Sequence, residues 1–321
     1  MNPANRPIVL FGATTPSGAA FLNLAAGRSV LVAGRQCPAH WPPEHFLRCD
    51  LGSPAPPAGL IRPDAVVVSF APIWSLAPFL ASLLAASGSN IHPKPSLCGV
   101  VACSSSSVLT KRFAANRFDR DLVRRLATAE DTIEACSNAA GISCRILQPS
   151  LIYGQAGEYG DQNLSRLVQL MARLPVLPIP AETGLRQPIH ARQLAAVALH
   201  LVDQPNAAPR RTALGGDECL SYASMLERLR EAVLLLDQRD PVGRCRLLPL
   251  PNRLFHLLTA PLLPLSAKGF EAVLRIEANL ADFPKAHSIL GTAPQRFPVA
   301  PLAPSAKTKT KTNHVSPACQ P

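Results

Sequence analysis

The 321-residue chain is poor in aromatic residues, 5% of the total, and poor in acids, with 21 Asp and Glu against 32 Lys and Arg. With so few aromatics, a clustered aromatic and basic platform for base stacking is not expected, and nucleic-acid binding ranks well below other functions. No stretch reaches the roughly 18 uninterrupted apolar residues of a membrane span. The N-terminus lacks a basic region followed by a long apolar stretch and a small-residue cleavage site. The expectation is a cytoplasmic protein without a transmembrane segment. The nine cysteines are odd in number and contain no C-x-x-C pair, so they suggest neither a zinc cluster nor a complete disulfide framework and read as reduced core fillers. No metal site is expected.

What the chain does have is apolar material for a large core, with 47% hydrophobic residues and a mean hydropathy of +0.14, which sets it apart from disordered chains. A net charge of +11 points to anionic ligands. Part of that charge lies in Lys307, Lys309 and Lys311, within a Pro-, Lys- and Thr-rich stretch from Pro301 to Pro321 that reads as a disordered basic tail.

The most informative stretch is Ile8-Val9-Leu10-Phe11-Gly12-Ala13-Thr14-Thr15-Pro16-Ser17-Gly18, an apolar run that stops at a glycine and restarts as an Ala-rich helical segment. A strand, a turn that tolerates no Cβ and a helix start with its free N–H groups and positive dipole end together favour a bound pyrophosphate. A full dinucleotide fingerprint has a middle glycine where this chain has Thr15. Further apolar, β-branched runs follow at Ser29 to Ala33, Ala65 to Phe70, Cys98 to Cys103 and Ser143 to Leu147, with a weaker one at Phe46 to Leu51. Most are separated by enough residues for the crossover helices that parallel strands require. The predicted fold is α/β: a Rossmann-type doubly wound parallel sheet over residues 1–150, then a smaller substrate lobe over 151–300 with some segments returning to the core. Helices are predicted at Asn163 to Leu174, Ala191 to Val202 and Tyr222 to Leu236. Pro249, Pro251, Pro261 and Pro264 break the Leu-rich region Leu247 to Leu274 too often for one membrane-surface helix, so it is assigned to lobe packing.

The order of the glycine turn, Cys103-Ser104-Ser105-Ser106-Ser107, Ile146-Leu147-Gln148-Pro149-Ser150-Leu151-Ile152-Tyr153-Gly154, Arg186-Gln187-Pro188-Ile189-His190 and the late Ile289-Leu290-Gly291-Thr292-Ala293-Pro294 resembles the extended or atypical short-chain dehydrogenase/reductase family. That family includes nucleotide-sugar epimerases and dehydratases. The resemblance implies a cofactor site formed by Gly12, Thr14, Thr15, Pro16, Ser17, Gly18, Arg35, Asp50, Leu51 and Ala71. Arg35 stands near the position where an acid would bind a ribose 2′-hydroxyl and suits a 2′-phosphate instead, so NADP is preferred over NAD. Asp50 is also a candidate turn cap, and Arg35 a plain solvated residue. The resemblance further implies a nucleotide sugar or similar anionic small molecule held by Tyr153, Asn163 and Arg186, and hints at a homodimer.

The family's acid/base pair, Tyr-x-x-x-Lys, is missing. Between the serine-rich strand and Pro149 there is no tyrosine, and Lys111 is the only lysine. Aligning the helix by its distance to Ile146 to Pro149 puts Leu126 at the tyrosine position and Glu130 at the lysine position. A carboxylate there raises, rather than lowers, a neighbouring phenol's pKa. Ser106 matches the family's catalytic Ser/Thr, or serves only as turn chemistry. Lys111 is the first replacement for the missing base, ahead of Tyr153 and His190, each of which has an ordinary packing or surface role as its alternative. Two functions remain open: hydride chemistry with a non-standard acid/base, as an epimerase/dehydratase or a reductase, or a catalytically inactive NAD(P)-binding scaffold or redox-sensing protein.

Overall fold

The computed structural model describes residues 6–53, 56–60, 62–86, 97–261 and 267–299. The tail expected from Pro301 lies outside them.

Four short β-branched strands begin the central sheet: β1 (Ile8–Phe11), β2 (Val30–Gly34), β3 (Phe46–Arg48) and β4 (Val66–Ser69). β5 (Gly99–Cys103) and β6 (Ser143–Pro149) extend it. Helix α1 (Pro16–Leu24) follows β1, α2 (Ile73–Ala86) follows β4, and the short α3 (Ser107–Thr110) and long α4 (Arg117–Ala139) join β5 to β6. β1 and β4 are buried at every position, because helices cover both faces of the sheet and continuous apolar runs replace alternation. The Pro-rich link between β3 and β4 carries no helix among the described residues. Its prolines remove the donors that a helix interior needs.

After β6 come the two-residue strands β7 (Ile152–Tyr153), β8 (Gln155–Ala156) and β9 (Tyr159–Gly160), then α5 (Leu164–Arg173) and β10 (Val176–Pro180). β11 (Leu185–Arg186) and β12 (Ile189–His190) lead into α6 (Ala191–Asp203), β13 (Arg211–Leu214), β14 (Leu220–Ser221) and α7 (Tyr222–Leu236). β15 (Arg246–Leu250), α8 (Asn252–Thr259), α9 (Ala267–Leu274) and α10 (Ala286–Leu290) complete the described chain.

The main sheet has seven strands in the order β13-β6-β5-β4-β1-β2-β3, and every pairing in it is parallel. Strand order reverses at β1, which pairs with β4 on one side and β2 on the other, and the crevice above such a reversal is where ligands bind in open α/β sheets. One apolar cluster packs α1 and α6 on one face through Phe21, Leu194 and Leu201. A second packs α2 and α4 on the other through Leu76, Leu80, Leu126 and Ile133. α6 and β13 thus belong to the sheet layers although they follow the first lobe segments in sequence. A third cluster, with Leu164, Met171, Met225 and Leu229, is the core of the second lobe.

Two expectations are corrected. The Leu-rich segment is not wholly packed away, since Leu248, Leu254, Leu257 and Leu258 are exposed. The prolines around α8 hold it to eight residues, too few for both faces to find partners. The cysteines are not uniformly core fillers either: all eight described are free, and Cys37 and Cys219 are exposed.

Candidate functional site: a glycine cradle, two arginines and a rebuilt catalytic helix

Gly12 leaves β1 with a φ of +75°, a left-handed conformation that favours glycine. A Cβ there would stand 2.4 Å from the backbone nitrogen of Ala71, so the turn after β1 and the end of β4 approach as closely as bare backbone allows. Gly18 lets α1 lie against this turn, because its Cβ would fall 2.1 Å from the Gly12 carbonyl oxygen. Thr15 caps α1: its Oγ1 accepts from the Gly18 N–H at 3.0 Å and donates to the Gly12 carbonyl at 2.8 Å. The threonine side chain therefore takes over the helix-start donor of Gly18, and Pro16 brings no N–H of its own. This cradle presents fewer backbone donors than one with a middle glycine.

Above the cradle is a cavity of about 850 Å³ whose lining includes Gly12, Thr14, Thr15, Arg35, Asp50, Leu51 and Ala71. Seven of the expected cofactor residues thus converge on one space. Pro16, Ser17 and Gly18 do not line it, and Ser17 and Gly18 are buried beneath the turn. Arg48 lines it as well and was missed in the sequence. Parallel register places Arg48 beside Gly34, one residue before Arg35, so two exposed guanidinium groups flank the outer end of the cavity. Asp50 is the one carboxylate in the lining, and its Oδ1 accepts from the Gly52 N–H at 3.0 Å as an Asx turn. Bare glycine at the helix start and two arginines at the lining could hold the phosphates of a dinucleotide.

The acid/base region is reorganised. Leu126 is buried against the sheet, and Glu130 is fully buried. Glu130 accepts a hydrogen bond from the Ser104 hydroxyl and another from Gln148 Nε2 at 2.8 Å, and its Oε2 lies 3.6 Å from Arg211 Nη1. Burial pushes its pKa up against these partners. Ser106 is buried, and its N–H donates to the Pro149 carbonyl at 2.9 Å, which ties the end of β5 to β6. Its hydroxyl makes no cap to α3, whose first turn follows it directly.

Lys111 Nζ donates to Asp119 Oδ1 at 2.7 Å. Asp119 also accepts from Arg275 and, at 2.8 Å, from Asn116 Nδ2. Burial raises the Asp119 pKa, but the hydrogen bonds from Lys111, Arg275 and Asn116 outweigh it and hold the carboxyl well below its usual range. Glu271 on α9 accepts from the Asn116 N–H and from Arg275, so this network fastens α9 to the start of α4.

The other expected substrate residues are not gathered at the cavity. Arg186 is buried, donates at 2.8 Å to the Leu185 carbonyl, at 2.7 Å to Ala278 and also to Arg275, and stacks 5.2 Å from the Tyr222 ring centroid. Its guanidinium closes the end of α9. Tyr153 is buried, and its hydroxyl accepts from the Val299 N–H at 2.9 Å, while burial pushes its pKa up. His190 caps α6 through Nδ1, which accepts from the Arg192 N–H at 3.2 Å; burial lowers its pKa. Asn163 is exposed at the start of α5, where the neighbouring Asp161 caps the helix instead. Gln193, which stands where the family has an acid, donates to the buried Asp217 at 2.8 Å. Asp217 then accepts from the His287 and Gln295 N–H groups, so a carboxylate from another segment anchors the closing stretch. Among the described residues no group of three or more His, Cys, Asp or Glu could hold a metal, and no helix is long and apolar enough to cross a membrane.

A seven-stranded parallel sheet with its reversal over a glycine cradle is a fold shared with solved nucleotide-sugar epimerases and dehydratases. Solved structures with this fold include a nucleoside-diphosphate-sugar epimerase from Staphylococcus aureus, 16% identical, with 90% of this chain and 97% of that one covered at a TM-score of 0.56. MoeE5, solved with UDP-glucose and NAD, is 17% identical over 90% of this chain and 94% of its own, also at 0.56. A UDP-galactose 4-epimerase is 15% identical over 77% and 86%, at 0.54. No family model and no curated protein matches the chain.

Proposed function

We propose that the protein is an extended short-chain dehydrogenase/reductase relative that binds NADP(H) in preference to NAD(H) and acts on a nucleotide sugar or a similar anionic small molecule. The observation that carries this reading is the cavity over Gly12, with Arg35 and Arg48 at its ribose end and its one carboxylate, Asp50, turned into its own loop. Nucleotide-sugar and NAD ligands in a protein of the same fold support the substrate class.

The dinucleotide, when bound, would give or take hydride at a carbinol carbon. Ser106, at the end of β5, holds the substrate hydroxyl. Lys111, whose Nζ lies 2.7 Å from Asp119, passes the proton to or from the substrate oxygen. A second reading, a cofactor-binding scaffold or redox sensor without turnover, is favoured by Leu126 and Glu130 being packed inward and by the engagement of Arg186 with backbone carbonyls.

Calorimetric titration with NADPH and then NADH tests the proposal, followed by NADPH oxidation across a panel of nucleotide sugars and their keto forms. Tight NADPH and weak NADH binding is expected, and binding of neither overturns the dinucleotide reading. Turnover abolished by Lys111→Ala or Ser106→Ala with folding intact supports the enzyme. Cofactor-dependent melting without turnover on any substrate supports the scaffold.

A further inference from the structure

The polar groups around Ser106 and the cavity leave one cluster unexplained, at the loop before α4 and its first turns. Phe113 is 91% exposed and Phe118 69% exposed. Arg112, Arg117, Arg120 and Arg124 are exposed around them. Arg112 lies 5.7 Å from the Phe113 ring centroid. From 112 to 125 the acids are Asp119, buried under Lys111 and Arg275, and Asp121, which Arg117 and Arg124 share. The patch is therefore strongly positive with two projecting aromatic tips.

We infer that this edge of the protein docks on an anionic phospholipid bilayer. A protein partner needs a broad, well-packed surface on each side, whereas a bilayer needs only a few apolar side chains to enter the headgroup layer and basic residues to meet its charge. Phe113 and Phe118 stand five residues apart, one on a loop and one on a helix start, as separate tips. The surrounding arginines are long enough to reach phosphates, and the Arg112 guanidinium lies over the Phe113 ring. A second pair of apolar tips, Leu257 and Leu258 on α8, is 70% and 60% exposed. Polar contacts connect the two places: an ion pair of Asp119 with Arg275 just after α9, then a contact of Glu277 with His256 on α8 at 2.7 Å. The exposed leucines of the Leu- and Pro-rich segment thus belong to an element tied to the arginine patch, which gives that segment a use that lobe packing does not. Docked this way, the bilayer lies beside the segment that carries Ser106 and Lys111.

Cosedimentation of the full chain with vesicles of phosphatidylcholine alone, or of phosphatidylcholine with phosphatidylserine, reads the interaction. Binding is expected only to the anionic vesicles, weakening as salt rises. Phe113→Ser with Phe118→Ser should weaken it roughly tenfold. Each of Arg117→Gln and Arg120→Gln should weaken it about fivefold, with melting temperature and NADPH affinity unchanged. No binding to anionic vesicles at low salt overturns the inference. Loss on Lys307→Gln, Lys309→Gln and Lys311→Gln together, with the phenylalanine variant unaffected, overturns it in favour of the tail. Tighter binding to polyuridylate than to the vesicles, lost in the same phenylalanine variant, overturns it in favour of RNA.

Discussion

Asp119→Asn removes one charge and keeps the shape of the side chain, which makes it the cleanest probe of the network joining α4 to α9. The wild-type carboxylate is 2% exposed and receives Lys111, Arg275 and Asn116. Breaking a buried ion pair from one side costs about 3–5 kcal/mol. Lys111 and Arg275 keep 21% and 22% of their side-chain exposure, so water relieves part of the loss. The lower end, about 3 kcal/mol, is therefore expected, and thermal unfolding should move down by roughly 4–5 °C for a chain of this size. The pH dependence has a definite sign. The folded-state pKa of Asp119 lies below its unfolded value of about 3.9, so its contribution is present above that value and is lost as pH falls through the folded value. The difference in melting temperature between wild type and variant should be flat from about pH 5 to 8 and narrow below about pH 4. Scanning calorimetry or circular dichroism across this range measures it. A variant that melts with the wild type at neutral pH, or a gap that widens on acidification, would refute the role given to Asp119.

Arg35→Ala should weaken NADPH binding by about 10- to 100-fold, the worth of a charge-assisted phosphate contact, and leave NADH within about twofold. Arg35→Ala with Arg48→Ala should abolish the preference, and an equal loss for both cofactors in calorimetry would count against the 2′-phosphate site. Gly12→Ala forces a Cβ to 2.4 Å from the Ala71 nitrogen at a left-handed φ; it should cost at least about 1–2 kcal/mol in denaturant unfolding and most of the cofactor affinity. Glu130→Gln should be stable. The raised folded pKa of Glu130 means that its favourable share is complete below the unfolded value and lost as pH rises through the folded one, so the variant should gain on wild type in melting experiments as pH rises above about 4.3. Glu130→Leu should cost about 1–3 kcal/mol instead, because Ser104 and Gln148 lose their acceptor.

Much of the cavity lining was legible because a turn after a strand is a local event. Gly12, Thr14, Thr15, Arg35, Asp50, Leu51 and Ala71 each sit at or just past a strand's carboxyl end, and a parallel sheet brings such ends together whatever the loops between them do. Arg48 carried the same signal, one strand further on, but its nearness to Arg35 depends on the register of β2 against β3. Side chains whose partners are distant in sequence could not be assigned by position. Lys111 meets Asp119 only eight residues away, yet the third member, Arg275, comes from 156 residues further along the chain. Arg186 and Tyr153 turn to backbone at Ala278 and Val299, and a motif that names a residue cannot tell a ligand-facing guanidinium from one that closes a helix.

The sequence by itself determined the parallel sheet, the crevice above β1 and the loss of the Tyr-x-x-x-Lys pair. These follow from the period of apolar residues, from a glycine that no other residue can replace, and from which residue types are present. The tertiary structure alone decided which polar groups remain free to meet a ligand, since that depends on which carboxylates and carbonyls are brought within hydrogen-bond reach. It buried Glu130 under Ser104 and Gln148, bound Lys111 to Asp119, turned Arg186 onto α9 and left Phe113 and Phe118 in the open.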